Sequence, residues 1–295
     1  MNQTKQMKTN TSNGTGSKIS VVILTWNEEL NLLKCLKSIE HLADEVFIVD
    51  SYSTDKTIEI AKKHGAHVTQ REFKNQAEQF NWALDNLNIK NEWILRLDAD
   101  EVITPELEKE ILETVPSVAD DISGFYIKRR VYFKGRWIKH GAYYPTWILR
   151  LFKNGKARSE DREMDEHIVL LQGKSANLEN DFVDENLQPL SWWIERYNKY
   201  STREANAVLA AAREGVAENL HGSQTERKRW LKNNIYYHAP KFFRAFLYFI
   251  YRYVVRFGFL DGVEGLIFHF LQGFWYRFLV DAKLFEAKKR AKNKQ

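Results

Sequence analysis

Asp98 and Asp100 stand two residues apart in Trp93–Glu101, read as WILRLDADE, directly after an apolar run. Extended residues i and i+2 point to the same side, so both carboxylates can face one ligand. Two hard oxygen donors this close suit Mg²⁺ or Mn²⁺, which bridge a few protein carboxylates and the phosphates of a substrate. Alone, D-x-D is a weak motif, because acidic strand ends and turns are common. Its meaning depends on which residues meet it.

Two more polar clusters have the same setting. Thr25-Trp26-Asn27-Glu28 closes the β-branched run from Ile19 (ISVVILT), and Asp50-Ser51 closes Glu45–Val49 (EVFIV). Between these runs the apolar residues follow a helical period: Leu30, Leu33 and Leu36 up to Ile39, then Thr57 to His64 ended by Gly65. Ala66–Thr69 reads as a short strand, Phe73–Leu87 as a helix and Trp93–Leu97 as a fourth strand. Strands alternating with helices of this length imply a parallel sheet with right-handed crossovers. Ligands bind at the carboxyl ends of such strands. The three polar strand ends therefore line one rim and can build one pocket. No G-x-G-x-x-G or G-x-x-x-x-G-K-[ST] follows the first strand, which argues against dinucleotide and ATP-loop readings.

The 295 residues include one cysteine, Cys35, so no internal disulfide forms and a reducing compartment fits. Cys35 lies in an apolar helical pattern and reads as a small core residue. Residues 1–17 are rich in Asn, Thr, Ser and Gly with no apolar h-region, the pattern of a disordered tail rather than a signal peptide. The net charge of +5 is unevenly spread. Residues 226–295 carry 15 Lys/Arg against 5 Asp/Glu, whereas the first 225 carry 29 against 34. The same final segment holds 19 of the 40 aromatics.

Within that segment, Lys241, Arg244, Tyr248, Arg252 and Arg256 recur every three or four residues along KFFRAFLYFIYRYVVRFGF. They form one polar stripe on an otherwise apolar helix. The charge-free run Ala245–Tyr251 is far shorter than the roughly 20 residues needed to span a bilayer. Leu266–Val280 repeats the theme with His269, Gln272 and Arg277, and Lys283–Lys294 adds a basic tail. The expectation is a helix lying in the membrane interface with its basic stripe at the headgroups, each cation contributing about 1 kcal/mol. Packing against the rest of the chain or in an oligomer is the alternative. No nucleic-acid-binding motif accompanies the charge, so nucleic acid is not expected as a partner. Leu187–Gly215 and Ser223–Tyr237 read as helices leading into this appendage.

Taken in order, VVILTWNEE (21–29), VDSYSTDKT (49–57), QFNWAL (79–84) and LRLDADE (95–101) resemble the family 2 glycosyltransferases, which have the GT-A fold. The chain looks most like bacterial members that build lipopolysaccharide core, capsule or other surface polysaccharide. The likeness runs on through DEHIVLLQGK (165–174), WWIERYNKYSTREA (192–205) and GLIFHFLQGFWYRFLVDAK (265–283). It implies an α/β GT-A domain over residues 18–183, a Rossmann-like, mostly parallel sheet with flanking helices, plus a C-terminal amphipathic helical appendage over 184–295. It also implies transfer of a sugar, with inversion, from a nucleoside diphosphate donor, UDP-linked by the resemblance, to an acceptor hydroxyl.

The resemblance assigns Asp100 to a divalent metal, with Asp98 beside it or facing the ribose. It puts Thr25, Asn27 and Glu28 near the base and ribose, Asp50 against the base's imide N–H, and Gln79 and Asn81 in the donor site. Tyr52 departs from the commonest pattern, DGSTD, which has Gly there, and Asp184 stands where relatives often have His. An acceptor hydroxyl is a poor nucleophile and needs a positioned carboxylate to take its proton. Gly124–Phe133 and Trp147–Phe152 read as strands, followed by the acidic segment Ser159–His167 and the apolar run Ile168–Leu171. By resemblance Glu166 is the base, with Asp165 the alternative and a solvated acidic loop the plain reading. His167 reads as orienting or structural. The loop Lys134–Tyr144 (KGRWIKHGAYY) mixes cations with aromatics and suits either an acceptor site or an ordinary hairpin; Arg150 is open in the same way.

The expectation is thus a metal-dependent transferase, cytoplasmic and peripheral on the inner face of the cell membrane, with a lipid-linked or glycolipid acceptor and a possible oligomer. Two other readings compete: a nucleotidyltransferase, which shares the sheet and D-x-D site, and a catalytically silent membrane-bound scaffold.

Overall fold

The computed structural model describes residues 19–160, 166–214 and 224–293. The expected tail 1–17, the candidate base Asp165 and the helix ends at Gly215, Ser223 and Lys294 lie outside the described residues.

The chain opens with β1 (Ile19–Thr25), α1 (Leu32–Ser38), β2 (Glu45–Asp50), α2 (Thr57–Lys63), β3 (His67–Gln70), α3 (Gln76–Asn86) and β4 (Trp93–Asp98). β1 is an unbroken apolar run because it is buried on both faces, as parallel strands are. Val21 and Ile23 pack with Leu32, Cys35 and Leu36 of α1, while Val22 packs on the opposite face with Phe80 and Ala83 of α3. β1 pairs in parallel with β2 and β4, and the register sets Thr25 opposite Asp50 and Leu24 opposite Asp98. The three polar strand ends are therefore level.

Next come β5 (Glu101–Ile103), α4 (Pro105–Thr114), β6 (Ile122–Phe133), β7 (Arg136–Trp137), β8 (Thr146–Lys153), β9 (Ala157–Ser159), β10 (Ile168–Leu170) and β11 (Lys174–Glu185). α4 begins on a capping Thr104, whose hydroxyl accepts from Leu107 N, with Pro105 in its first turn. The main sheet runs β3-β2-β1-β4-β8-β6-β11-β5, with β7 on β6; β9 and β10 form a separate hairpin. β8 is antiparallel to both β4 and β6, and β5 is antiparallel to β11. Only Ala99 and Asp100 separate β4 from β5, yet β5 lies at the far edge. The sheet must curl for this, and the curl sets Asp184 of β11 opposite Glu101.

Five helices complete the chain: α5 (Leu190–Glu214), α6 (Gln224–Asn234), α7 (Phe243–Ile250), α8 (Gly262–Phe268) and α9 (Tyr276–Lys292). π-helical turns extend α7 through Val255 and join α8 to α9. α9 packs along α5 through Ala205, Tyr276, Val280 and Leu284. No described helix is long and apolar enough to cross a membrane.

The helical period of the basic stripe is as expected, but its direction is reversed. Arg244 is 3% exposed and Arg252 1%. Arg244 Nε donates to Asp281 Oδ1 at 3.0 Å and its Nη1 to Tyr237 O at 2.8 Å. Arg252 Nε donates to Gly141 O at 3.2 Å, and its Nη1 donates to Gln272 Oε1. Arg277 Nη1 donates to Glu204 Oε1 at 2.7 Å, and His269 is buried. The expected basic face at the headgroups is therefore overturned at these positions. Periodicity tells which residues share a face, not which way it points. These cations tolerate burial because each meets a carboxylate or carbonyl.

Candidate active site

The rim is stitched together from two loops. Thr25 Oγ1 donates to Asp50 Oδ1 at 2.8 Å, and Ser53 donates to the same carboxylate through Oγ at 2.5 Å and N at 2.8 Å. Gln70 Nε2 adds a bond at 3.3 Å to Oδ2. Asp50 is fully buried, and its carboxylate is occupied in bracing the turn after β2. A nucleobase reaching it must displace one of these donors. Asn27, at φ 54°, donates through N to Ser53 Oγ at 2.8 Å and accepts from Thr54 N at 2.8 Å. Glu28 N donates to Thr57 Oγ1 at 2.7 Å.

Trp26 and Tyr52 are both exposed, each at the centre of one of the two segments joined by the Ser51 N–Thr25 O and Asn27 N–Ser53 Oγ bonds. Tyr52 has φ 58°. That left-handed conformation favours glycine, which explains physically why DGSTD is the common pattern.

Two residues expected in the donor site are engaged by the fold. Gln79 is fully buried, and its amide nitrogen donates to Ser51 Oγ at 3.0 Å and Val49 O at 3.4 Å. Asn81 bonds the Ser159 backbone twice, at 2.9 Å each way, and so fastens the β9 hairpin. Both amides are bonded within the protein, Gln79 to the turn after β2 and Asn81 to β9.

At the end of β4, Asp98 Oδ1 accepts from Arg96 Nη2 at 3.0 Å and Gln76 Nε2 at 3.2 Å, and Oδ2 accepts from Arg150 Nη2 at 3.1 Å. Burial works against its charge, but the Arg96 and Arg150 guanidiniums prevail and hold it at about 2. Arg150 also forms a salt bridge with Glu101. Burial raises Glu101 above the carboxylate range, with Arg150 opposing. Asp100 is differently placed. Its Oδ2 accepts from Asn186 Nδ2 at 2.8 Å and its carbonyl from Glu185 N at 3.0 Å. Among the described residues, no Lys or Arg forms an ion pair with it.

Further acids converge on Asp100. Glu28 is buried, its Oε2 accepting from Asn31 Nδ2 at 2.7 Å, and burial together with the Asp100 charge pushes it up to about 7. Burial pushes Asp184 up to about 6; Arg129, 3.5 Å away, opposes this and Asp100 and Asp98 add to it. Glu166 joins the same neighbourhood, since its charge acts on Arg96. A cleft of about 620 Å³ is lined by Trp147, Glu160, Arg229 and His167, the residue that follows Glu166 in the chain. Asp184 takes part in the site as an acid beside Arg129.

Arg96, Glu101, Arg129, Asn186 and Arg196 escaped the sequence reading as site residues. Arg196, on α5, lies 4.8 Å over the Trp192 ring, and its Nε donates to Tyr200 OH at 2.6 Å. The charges of Asp100 and Glu28 act on it. Its only signal was its place within WWIERY.

Among the described residues, no group of three or more His, Cys, Asp or Glu side chains is arranged to hold a metal ion. Asp100, without an ion pair among the described residues, is the carboxylate a hard cation would reach, whereas both oxygens of Asp98 already accept from guanidiniums.

The family profile described as Glycosyl transferase family 2 matches residues 20–170. The chain belongs to this family. The match covers every rim strand and reaches Glu166. The fold is accordingly GT-A with added C-terminal helices, and family membership decides for glycosyl transfer over nucleotidyl transfer. An uncharacterized glycosyltransferase of Rickettsia typhi is 28% identical over 292 residues, covering 94% of this chain and 89% of the relative. The lipopolysaccharide core biosynthesis glycosyltransferase LpsC of Rhizobium meliloti is 27% identical over 263 residues, covering 86% and 89%. Among solved structures, the glucosyl-3-phosphoglycerate synthase of Mycobacterium tuberculosis in complex with Mn²⁺, UDP and glucosyl-3-phosphoglycerate aligns over 40% of this chain and 45% of that one, at 25% identity and a TM-score of 0.33.

Proposed function

We propose that the protein is a metal-dependent, inverting glycosyltransferase that moves a sugar from a nucleoside diphosphate sugar, a UDP-sugar by family resemblance, to an acceptor hydroxyl of a bacterial surface-glycan precursor. The observation that carries this reading is Asp100, a carboxylate free of ion pairs among the described residues, at the convergence of three strand ends.

Asp100, with Asp98 beside it, would hold Mg²⁺ or Mn²⁺. Such an ion, when bound, neutralises charge gathering on a leaving diphosphate. The Arg96 and Arg150 pairs keep Asp98 ionised and fixed in direction. Thr25, Asn27 and the turn braced by Asp50 offer the base and ribose a preformed edge, with Trp26 and Tyr52 as exposed apolar faces. Arg196 adds a cation facing the same acids, suited to a diphosphate. Glu166 takes the proton of the acceptor hydroxyl while that oxygen attacks the anomeric carbon. Attack opposite the leaving group forms the new bond as the donor bond breaks, which inverts the configuration.

Similarity to LpsC across most of both chains supports an acceptor of the lipopolysaccharide-core type. A lipid-linked acceptor places the protein at the inner face of the cytoplasmic membrane, a setting that the exposed apolar side of the C-terminal helices favours. The deciding experiment is a screen of nucleotide sugars scored by metal-dependent donor hydrolysis and transfer. One donor should be turned over by the wild type and not by a folded Asp100→Ala variant; equal turnover by both would sink the site.

A further inference from the structure

The hairpin made by α7, the turn after it and α8 is built inside out. Its inner side carries Arg252, Asp261 and His269, all buried, and Gly258, where an added Cβ would lie 2.7 Å from His269 Cδ2. Its outer side is apolar. Of the 28 residues from Phe243 to Phe270, thirteen are exposed large hydrophobics, Val263 reaching 68%. A helix pair in water shows the opposite arrangement. Ionic and polar groups turned inward and apolar side chains turned outward are what a hydrocarbon environment selects.

We propose that this outer face docks on an anionic lipid surface, with Phe257, Phe259 and Leu260 at the turn entering among the headgroups. This deepens the membrane reading above and rests on it for the nature of the acceptor. No described helix is both long and apolar enough to cross a membrane, and the two short helices of the hairpin suit a position in the interface. Charge selects lipid over a second copy of the chain. Residues 226–295 carry 15 Lys/Arg and 5 Asp/Glu. Arg244 and Arg277 are matched inside the fold by Asp281 and Glu204, which leaves Arg256, Lys288, Lys289 and Lys292 exposed to solvent. Two copies of the chain brought together through this segment, each with ten more basic than acidic residues there, repel, whereas an anionic bilayer attracts the segment.

The docked turn also holds the loop 134–144. Gly141 N donates to Arg256 O at 2.9 Å, His140 N to Asp261 Oδ2 at 2.9 Å, and Arg136 Nη2 to Leu260 O at 3.3 Å. That loop runs on into β8, whose Trp147 lines a cleft together with His167, the neighbour of Glu166 in sequence. A lipid-borne acceptor is thereby met at a set height and led along this loop to the cleft.

The test is flotation of the full-length protein with phosphatidylglycerol–phosphatidylcholine vesicles, with pure phosphatidylcholine vesicles as control. The wild type should float with the anionic vesicles, and Phe257→Ser/Leu260→Ser should float at least about tenfold less, with donor hydrolysis unchanged. As a second readout, Leu260→Cys carrying an environment-sensitive dye should shift its emission to the blue on anionic vesicles; Cys35 is buried and does not compete for label. Wild-type protein that stays unbound with an unshifted dye overturns the proposal. So does a concentration-dependent dimer that the two serines dissolve, because the face is then a self-interface. Vesicle binding without any donor hydrolysis upholds docking and removes the transferase reading instead.

Discussion

Arg150 and Glu101 meet in a salt bridge where neither side chain is more than 3% exposed. The same guanidinium also binds Asp98, so one buried cation holds both acids flanking the Ala99-Asp100 turn. Removing one partner of such a pair leaves an uncompensated charge and costs about 3–5 kcal/mol. Arg150→Met should therefore lower unfolding stability by that order in urea denaturation. Arg150→Met/Glu101→Met should lose much less than the sum of the single losses. Additive losses would mean that the two side chains act independently.

Glu166→Gln keeps shape and hydrogen bonding but cannot accept a proton. Transfer should fall by about 10²–10⁴-fold. Nucleoside diphosphate binding, followed by calorimetry with Mn²⁺ present, should stay within error of wild type. Normal turnover by this variant would move the base elsewhere.

Cation affinity should rise with pH. Asp184, at about 6, and Glu28, at about 7, are raised, so each is protonated below its value and becomes an anion as pH climbs through it. Each proton lost adds negative charge near Asp100, and a divalent ion favours that state. Mn²⁺ binding in the presence of nucleoside diphosphate should tighten from pH 5.5 to 8 and release protons, seen as a buffer-dependent calorimetric enthalpy. Asp184→Asn should flatten the lower part of the profile. Constant affinity with no proton release would show that these acids do not respond to the ion.

Tyr52→Gly relieves a left-handed conformation at an exposed side chain. The variant should be more stable by about 0.5–1 kcal/mol, read as a higher urea midpoint at unchanged slope. Weaker donor binding in the same variant would show that the Tyr52 ring contacts the nucleotide. A fall in stability would mean that the ring packs more than its exposure implies.

The rim was legible because the signals were local. β1, β2 and β4 are apolar runs that stop at polar residues, and parallel pairing makes their ends level. Glu101 stood in plain sight beside the two aspartates, but no spacing rule separates an acid that braces from one that binds. Gln79 and Asn81 show the same limit: polar side chains on α3 near the rim turned out to serve the scaffold. Arg129 and Arg196 come from distant segments, and only the curl of the sheet and the return of α5 bring them to Asp100. The C-terminal stripe had the right period and the wrong orientation. Its partners Asp281 and Gln272 lie beyond any window read around residues 241–259, as does Glu204, the partner of Arg277.

Asn186 and Gln188 tie Asp100 and the Asn27 carbonyl, at 2.8 and 3.2 Å, to the short stretch that leads into α5. α5 is a rod of 25 residues, about 37 Å long, and α9 lies along it. Linkage between two binding events is symmetric. Whatever factor a docked hairpin applies to donor affinity through α9 and α5, donor binding returns to docking. An enzyme waiting at a surface without donor and one holding donor in solution are thus two halves of one equilibrium, and measuring either half fixes the other.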